Sequence, residues 1–414
     1  TIFKYLKRKK NLHKNNKKLN TFTLSGLIIG PILGSGVILL PSMLYNKIGN
    51  YSLIIWAMIL SLGFIFALIF GKLAILFPGD GGVSLATKEA LGKKYQLLTS
   101  FYLICAVFFG PVAVLLIAGQ FIKPYFPDIS VVNLGFFIYI ITYSLLLFKI
   151  DFIGKLMLIV SSTITIIFLI SSINILLQTN SFSLVIPSLE LSQIGYSFLL
   201  AFWAIVGWEV IGNYSNEVKE TKTLTNAVIF SAIVVSLVYI LICLAILFGD
   251  FEKKALESFK LIWLIEPIFK SYSNLILSSI SLILCIGTLI LFVGGVARLI
   301  SSLKLTNYTS KHLNNNTPIG ALNLLSMIYI ITLILVYFEV LTLDNLVAFA
   351  DGFFIANAII GLITAIVIFE NGFLRYCSIL LALIFFAILL FSNIFILLLI
   401  ISLFIFTYFK KQGI

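Results

Sequence analysis

Charge is what this chain has least of. Only 11% of its 414 residues are Asp, Glu, Lys or Arg, too few to solvate a soluble domain of that length. Histidine occurs twice, at His13 and His312, in polar segments far apart, which makes no metal site. Cysteine occurs four times, at Cys105, Cys243, Cys285 and Cys377, always inside an apolar stretch and never as a C-x-x-C pair. Packing is the expected role, with neither a disulfide nor a metal. H-E-x-x-H, G-x-S-x-G, the P-loop and the Rossmann glycine pattern are all absent. No hydrophilic loop is long enough to hold an active site. These absences argue against an enzyme and against any cofactor or metal. The N-terminal segment is basic and then polar, without a cleavage-site pattern, so no signal peptide is expected.

Apolar length is what the chain has instead. It is 61% hydrophobic, with a mean hydropathy of +1.14. Stretches of about 20 apolar residues read as transmembrane helices. Twelve are expected, over 22–45, 52–76, 97–122, 131–149, 153–177, 194–214, 224–248, 274–303, 320–338, 345–368, 374–390 and 393–409. Only Ser392-Asn393 separates the last two. With that count, 22 of the 28 basic residues fall on one side of the membrane. This asymmetry places both termini in the cytoplasm. The net charge of +12 therefore sets topology and does not point to nucleic acid. The run Lys7-Arg8-Lys9-Lys10 also suits anionic lipid, at about 1 kcal/mol per charge near the surface. The insert 249–273 reads as a short surface helix around Trp263 and Pro267, and Ser84 to Leu91 as a short helix stopped by Gly92. High Ile, Lys and Asn content hints at an AT-rich bacterial genome and hence a plasma membrane.

Two spans are interrupted near their middles. Span one contains Gly30-Pro31-Ile32-Leu33-Gly34-Ser35-Gly36-Val37. Pro31 removes a backbone donor, and Gly34 and Gly36 leave the backbone unshielded. Unsatisfied backbone groups in hydrocarbon cost several kcal/mol each, so such a stretch persists where it lines a cavity. Span six reads Ala201-Phe202-Trp203-Ala204-Ile205-Val206-Gly207-Trp208-Glu209, with Gly207 as its break. Spans one and six run in opposite directions. Matching breaks in two antiparallel halves indicate an inverted repeat with a binding site at the midplane. The expected fold is an all-α membrane protein with a 5+5 inverted repeat and two appended helices. Its regions are a basic cytoplasmic segment (1–21), a first repeat (22–177), a second repeat (194–368) and an appended pair (374–409).

Several residues stand out as site candidates. Gly34, Ser35 and Gly36 can present free N–H groups at a half-helix start, which suits a carboxylate; the bland alternative is close helix packing. Glu209 is a carboxyl group inside a span, a placement costing about 2.5–3.5 kcal/mol by insertion scales for Asp. It is placed either to hold and pass a proton or to staple the break. Trp203 lies six residues earlier and is placed to lid the site, whereas Phe202 and Trp208 fit core packing equally well. Asp351, the second intramembrane acid, either gates the site, binds an amino group or reaches interfacial water, and the sequence slightly favours water. Gly110-Pro111 kinks span three below Gln120, with packing the favoured account. Lys72, Lys155, Lys304 and Arg298 lie at cytoplasmic span ends, where their head groups are expected to snorkel.

Taken together, these residues resemble the amino acid–polyamine–organocation superfamily of permeases. Gly34-Ser35-Gly36-Val37 is similar to its first-helix motif. Pro78 with Gly81-Gly82 and Ala90-Leu91-Gly92 is similar to its second cytoplasmic-loop signature. Trp203 to Glu209 is similar to its sixth-helix motif, and Glu217-Val218-Lys219 also fits. Within the superfamily the chain looks most like the bacterial branch that exports neutral amino acids such as methionine and branched-chain residues. The resemblance implies a secondary transporter working by alternating access. It implies that the backbone at Ser35, Gly36 and Val37 holds a substrate carboxylate, beside Gly34. Carbonyls near Phe202, Trp203 and Ile205, before Gly207, would take the amino group. Trp203 would be the outer gate and Glu209 a proton-sensitive coupling residue, while Asp351 is a gating candidate from its position in the span alone. Apart from those two acids the spans lack deep charges, which favours a neutral, apolar amino acid in a mainly apolar pocket. The implied partners are the amino acid, a coupling ion (a proton ahead of sodium) and lipid, with the protein a monomer or homodimer.

The chain departs from the pattern in two places. Glu220-Thr221 replaces the usual Asn-Pro, and Ser161-Ser162-Thr163-Ile164-Thr165 stands where some proton-coupled relatives carry a lysine. Those hydroxyls either ligate sodium or pack, so sodium coupling stays open, as do another small organic solute and a channel or sensor without coupled transport. A channel would show a continuous polar stripe, which the sequence lacks.

Overall fold

Helix caps, and glycines where φ is positive, punctuate the apolar stretches. In a computed structural model of the chain, the described residues are 19–179, 190–218, 220–249 and 260–409. The run Lys7–Lys10, His13, Lys219, Lys253 and Lys254 lie outside them. Helix α1 (Thr21–Ile48) starts at Asn20, whose side chain accepts the Thr23 N–H at 2.9 Å in a capping box. It ends at Gly49, where a φ of 54° turns the chain into α2 (Ser52–Leu76). Gly82 and Gly92 bracket α3 (Val83–Leu91), the short helix expected from sequence. Then come α4 (Lys93–Ile122), α5 (Val131–Leu146) and α6 (Ile150–Gln178). Span six is in pieces: α7 (Leu191–Phe202), a 3₁₀ turn (Trp203–Ile205), α8 (Trp208–Ile211) and a second 3₁₀ stretch (Gly212–Glu217). The remaining helices are α9 (Thr221–Phe248), α10 (Ile262–Phe269), α11 (Ser273–Leu303), α12 (Ile319–Tyr337), α13 (Leu343–Ile368), α14 (Phe373–Leu389) and α15 (Ile394–Phe409).

Eight helical segments among the described residues are long and apolar enough to cross a membrane, with Thr21–Leu76 as one of them. Val131–Leu146, Phe373–Leu389 and Ile394–Phe409 are shorter apolar helices. No strand occurs among the described residues; Leu19 and Val218 form one isolated parallel bridge. The fold is all-helical, and the chain is a multi-pass membrane protein.

The interrupted helix α1 runs through the interior, packed by α6, α9 and α11. Helix α4 packs against α13, α11 and α5. Small residues let α1 approach α6. A Cβ at Gly26 would lie 2.3 Å from the Leu158 Cα, and one at Gly30 would meet Met157 and Ser161. Such contacts suit helices that associate by packing in lipid. Outward-facing positions are large and apolar instead: on α15 only Ile396 and Thr407 are buried.

Three sequence expectations change. The insert helix α10 does not simply lie on the surface, because Leu264 and Ile265 are fully buried and it packs on α6 and α11. Arg298 does not snorkel outward. It donates to the Gly294 carbonyl at 2.9 Å, lies 4.6 Å over the Tyr214 ring and pairs with Glu217 at 3.7 Å. Asp351 does not reach interfacial water. It is 2% exposed, and its Oδ1 is buried without a hydrogen-bond partner.

Candidate functional site

The first break is a single turn at Gly34, whose φ of 39° and ψ of −143° lie outside helical space. A Cβ there would sit 2.2 Å from the Thr288 Oγ1. Two side chains from other helices take backbone carbonyls around the turn. The Thr288 hydroxyl on α11 sits between the carbonyls of Pro31 (3.1 Å) and Leu284 (3.0 Å). The Tyr239 hydroxyl on α9 donates to the Leu33 carbonyl at 3.3 Å. Neither residue was singled out from the sequence. One hydroxyl in an apolar run, or one tyrosine among 17, carries no signal of what it faces.

The second break spans Val206, which is extended, and Gly207, whose φ of 123° favours glycine. A Cβ at Gly207 would press on Ile32 of α1 at 3.2 Å. Glu209 closes this break. Its Oε2 accepts the Gly207 N–H at 3.0 Å, while Oε1 is buried and unpartnered. The staple anticipated for Glu209 is therefore present. The two breaks are joined directly, because the Trp203 indole N–H donates to the Ser35 hydroxyl at 3.1 Å.

Beside them lies a small cavity. Ser35, Gly36, Trp203, Val206 and Thr288 form its break-side wall. Apolar residues complete the lining, among them Gly110, Pro111 and Val114 on α4, Leu289 and Phe292 on α11, and Phe354 on α13. Gly110 and Pro111 thus belong to the cavity wall, where the sequence favoured a packing role. Of the other sequence candidates, Gly34 makes the turn, and Val37 is buried in the core. Phe202 packs edge-on against Phe385 at 5.0 Å, and Ile205 packs over Gly63. Gly207, Glu209 and Asp351 do not line the cavity, although Phe354, one turn on from Asp351, does. In α6 the hydroxyls divide. Ser161 is buried against Gly26 and Gly30, Thr165 is buried with a free hydroxyl, and Ser162 and Thr163 are exposed.

The stretch after α8 is tied to its surroundings residue by residue. Asn213 donates to the Gly295 carbonyl (3.1 Å), and the Tyr214 hydroxyl lies 3.0 Å from the carbonyls of Ile290 and Leu291. The Ser215 Oγ accepts the Gly79 N–H (2.8 Å), and Asn216 donates to Asp80 (2.8 Å). Glu217 pairs with Arg298 while its carbonyl accepts the Leu19 N–H (3.0 Å). The glycines of the α2–α3 loop make this possible: a Cβ at Gly82, where φ is 54°, would sit 1.9 Å from the Asn213 Oδ1.

Comparison with known proteins agrees with this architecture. A family model described as amino acid permease matches residues 19–414. The chain is 23% identical over 350 residues to the L-methionine/branched-chain amino acid exporter YjeH of Escherichia coli (strain K12), covering 80% of this chain and 81% of that protein. It shares a fold with the Eremococcus coleocola manganese transporter in complex with an aromatic bis-isothiourea substituted compound. There the TM-score is 0.64 at 13% identity, covering 96% of this chain and 98% of the other. A point mutant of that transporter gives a TM-score of 0.63 at 14% identity, with 94% of each chain covered.

Proposed function

We propose that this chain, which belongs to the amino acid permease family and is a membrane transporter rather than an enzyme, exports neutral, apolar amino acids across the plasma membrane by alternating access. The observation that carries this reading is the pair of breaks joined by the Trp203–Ser35 hydrogen bond beside an apolar cavity. Backbone N–H groups at a half-helix start suit a carboxylate, and an apolar wall suits an uncharged side chain. In this reading the backbone at Ser35, Gly36 and Val37 holds the carboxylate, with Gly34 setting its direction. Carbonyls of Phe202, Trp203 and Ile205 take the amino group, with Gly207 as the hinge between half-helices. The substrate side chain lies against Pro111, Val114, Leu289 and Phe354.

Trp203 covers the site. Glu209 couples transport to a proton, because losing or gaining one changes its hold on the Gly207 N–H. Asp351 gates from α13, and its buried, unpartnered Oδ1 supports a role beyond structure. Export follows the role of the E. coli relative, an L-methionine/branched-chain amino acid exporter. The architecture we propose has twelve spans. Thr21–Leu76 folds at Gly49–Tyr51 into two helices, which with the seven other long segments and three shorter apolar helices makes that number. The first five (22–177) and next five (194–368) form an inverted repeat, two are appended (374–409), and both termini are cytoplasmic.

The test is counterflow of labelled amino acids in proteoliposomes under imposed proton or sodium gradients. Saturable exchange of methionine, leucine or isoleucine, driven by a proton gradient, is expected. Folded protein with no flux of any amino acid would refute the reading.

A further inference from the structure

We propose that Tyr239 is a positioning residue for substrate binding: its hydroxyl straddles the turn at Gly34 and sets the direction in which the first break presents its backbone N–H groups. This inference rests on the carboxylate site proposed above.

The geometry has three parts. First, Tyr239 is fully buried on α9, and its hydroxyl donates to the carbonyl of Leu33, the residue before the turn. Second, the same oxygen lies 2.6 Å from where a Gly36 Cβ would be, two residues after the turn. One hydroxyl therefore fixes both sides of Gly34, by a hydrogen bond on one side and by contact on the other. Third, the tyrosine ring is itself fixed. It stacks on Trp56 of α2, with centroids 4.7 Å apart and planes 23° apart. The Trp56 indole N–H is buried without a partner, so the stack rather than a hydrogen bond places that ring.

Gly36 lines the cavity and Tyr239 does not. The tyrosine stands behind the glycine, and its effect reaches the ligand through the backbone. The Trp203 Cδ1 lies 3.5 Å from the same Gly36 position. The glycine backbone is thus held between an aromatic lid and a hydroxyl brace. Gly36 is needed here because any side chain would displace that brace.

Tyr239→Phe removes the hydroxyl and keeps the stack on Trp56. In proteoliposomes, the KM for leucine counterflow should rise about three- to tenfold, the worth of one neutral hydrogen bond. The maximal rate should stay within about twofold, the signature of lost uniform binding. Hydrogen–deuterium exchange of the detergent-purified protein should rise in the peptide spanning 31–37 and stay unchanged in α2 and α9. An unchanged KM overturns the proposal. So does a loss of maximal rate alone, which is what a merely structural tyrosine would give. Should the parent protein show no leucine counterflow, the substrate reading fails, and exchange at 31–37 still decides whether Tyr239 sets the turn.

Discussion

Gly34→Ala should cripple substrate binding, and the structure gives the size of the effect. At φ 39° and ψ −143° an alanine is strained by about 1–3 kcal/mol. Its Cβ would also lie 2.2 Å from the Thr288 Oγ1. That hydroxyl must move away from the Pro31 carbonyl, which forfeits a hydrogen bond worth about 1 kcal/mol. Together the penalty is about 2–4 kcal/mol, carried by the broken conformation alone. The chain escapes it by straightening α1, which withdraws Ser35 and Gly36 from the cavity. Binding must then re-form the break, so affinity should fall about 30- to 700-fold, at tenfold per 1.4 kcal/mol. Scintillation-proximity binding of labelled leucine to purified protein measures this, and circular dichroism verifies the helix content. Adding Thr288→Ala removes the clashing atom, so the double variant should be weakened by less than the two single effects multiplied together. A folded Gly34→Ala protein with the parental affinity would refute the reasoning.

Three further outcomes are expected. Glu209→Gln keeps an oxygen for the Gly207 N–H, so counterflow should persist while an imposed proton gradient stops driving net flux; gradient-driven flux equal to the parent's would remove Glu209 from coupling. Gly110→Ala should fold normally, since its Cβ fits 3.4 Å from Ala350, 3.6 Å from Phe354 and 3.9 Å from Trp203. It should weaken leucine and methionine against alanine about tenfold, and an unaltered ratio in competition assays would exclude Gly110 as a wall of the side-chain pocket. Arg298→Ala cuts the ties to Gly294, Glu217 and Tyr214. A cysteine placed at Ser35 should then react faster with a membrane-impermeant thiol reagent applied from the side of residues 213–217, and an unchanged rate would show that these ties do not close that side.

The breaks were legible in the sequence because their cause is local. Gly34 and Gly207 adopt positive φ, and a glycine within an apolar stretch, three residues after a proline or two residues before an acid, marks that demand directly. Helix positions were legible for the same reason, since apolar length and a stop such as Gly92 are local features. What holds the breaks open was not legible. Thr288 reaches Pro31 across 257 residues, Tyr239 reaches Leu33 across 206, and Trp203 reaches Ser35 across 168. In a chain where most residues are apolar, a lone hydroxyl gives no sign of which carbonyl it meets. Asp351 and Arg298 were misjudged by the same limit. Distance from a span end predicts depth in the membrane, but a side chain's fate depends on its neighbours on other helices. For Arg298 those neighbours are Tyr214 and Glu217, contributed by the stretch after α8. For Asp351 the surrounding helices offer its Oδ1 no partner at all. A buried carboxyl oxygen without a partner carries a cost that packing does not explain. In the proposed reading that cost, which Glu209 shares at its Oε1, belongs to the transport cycle rather than to the fold.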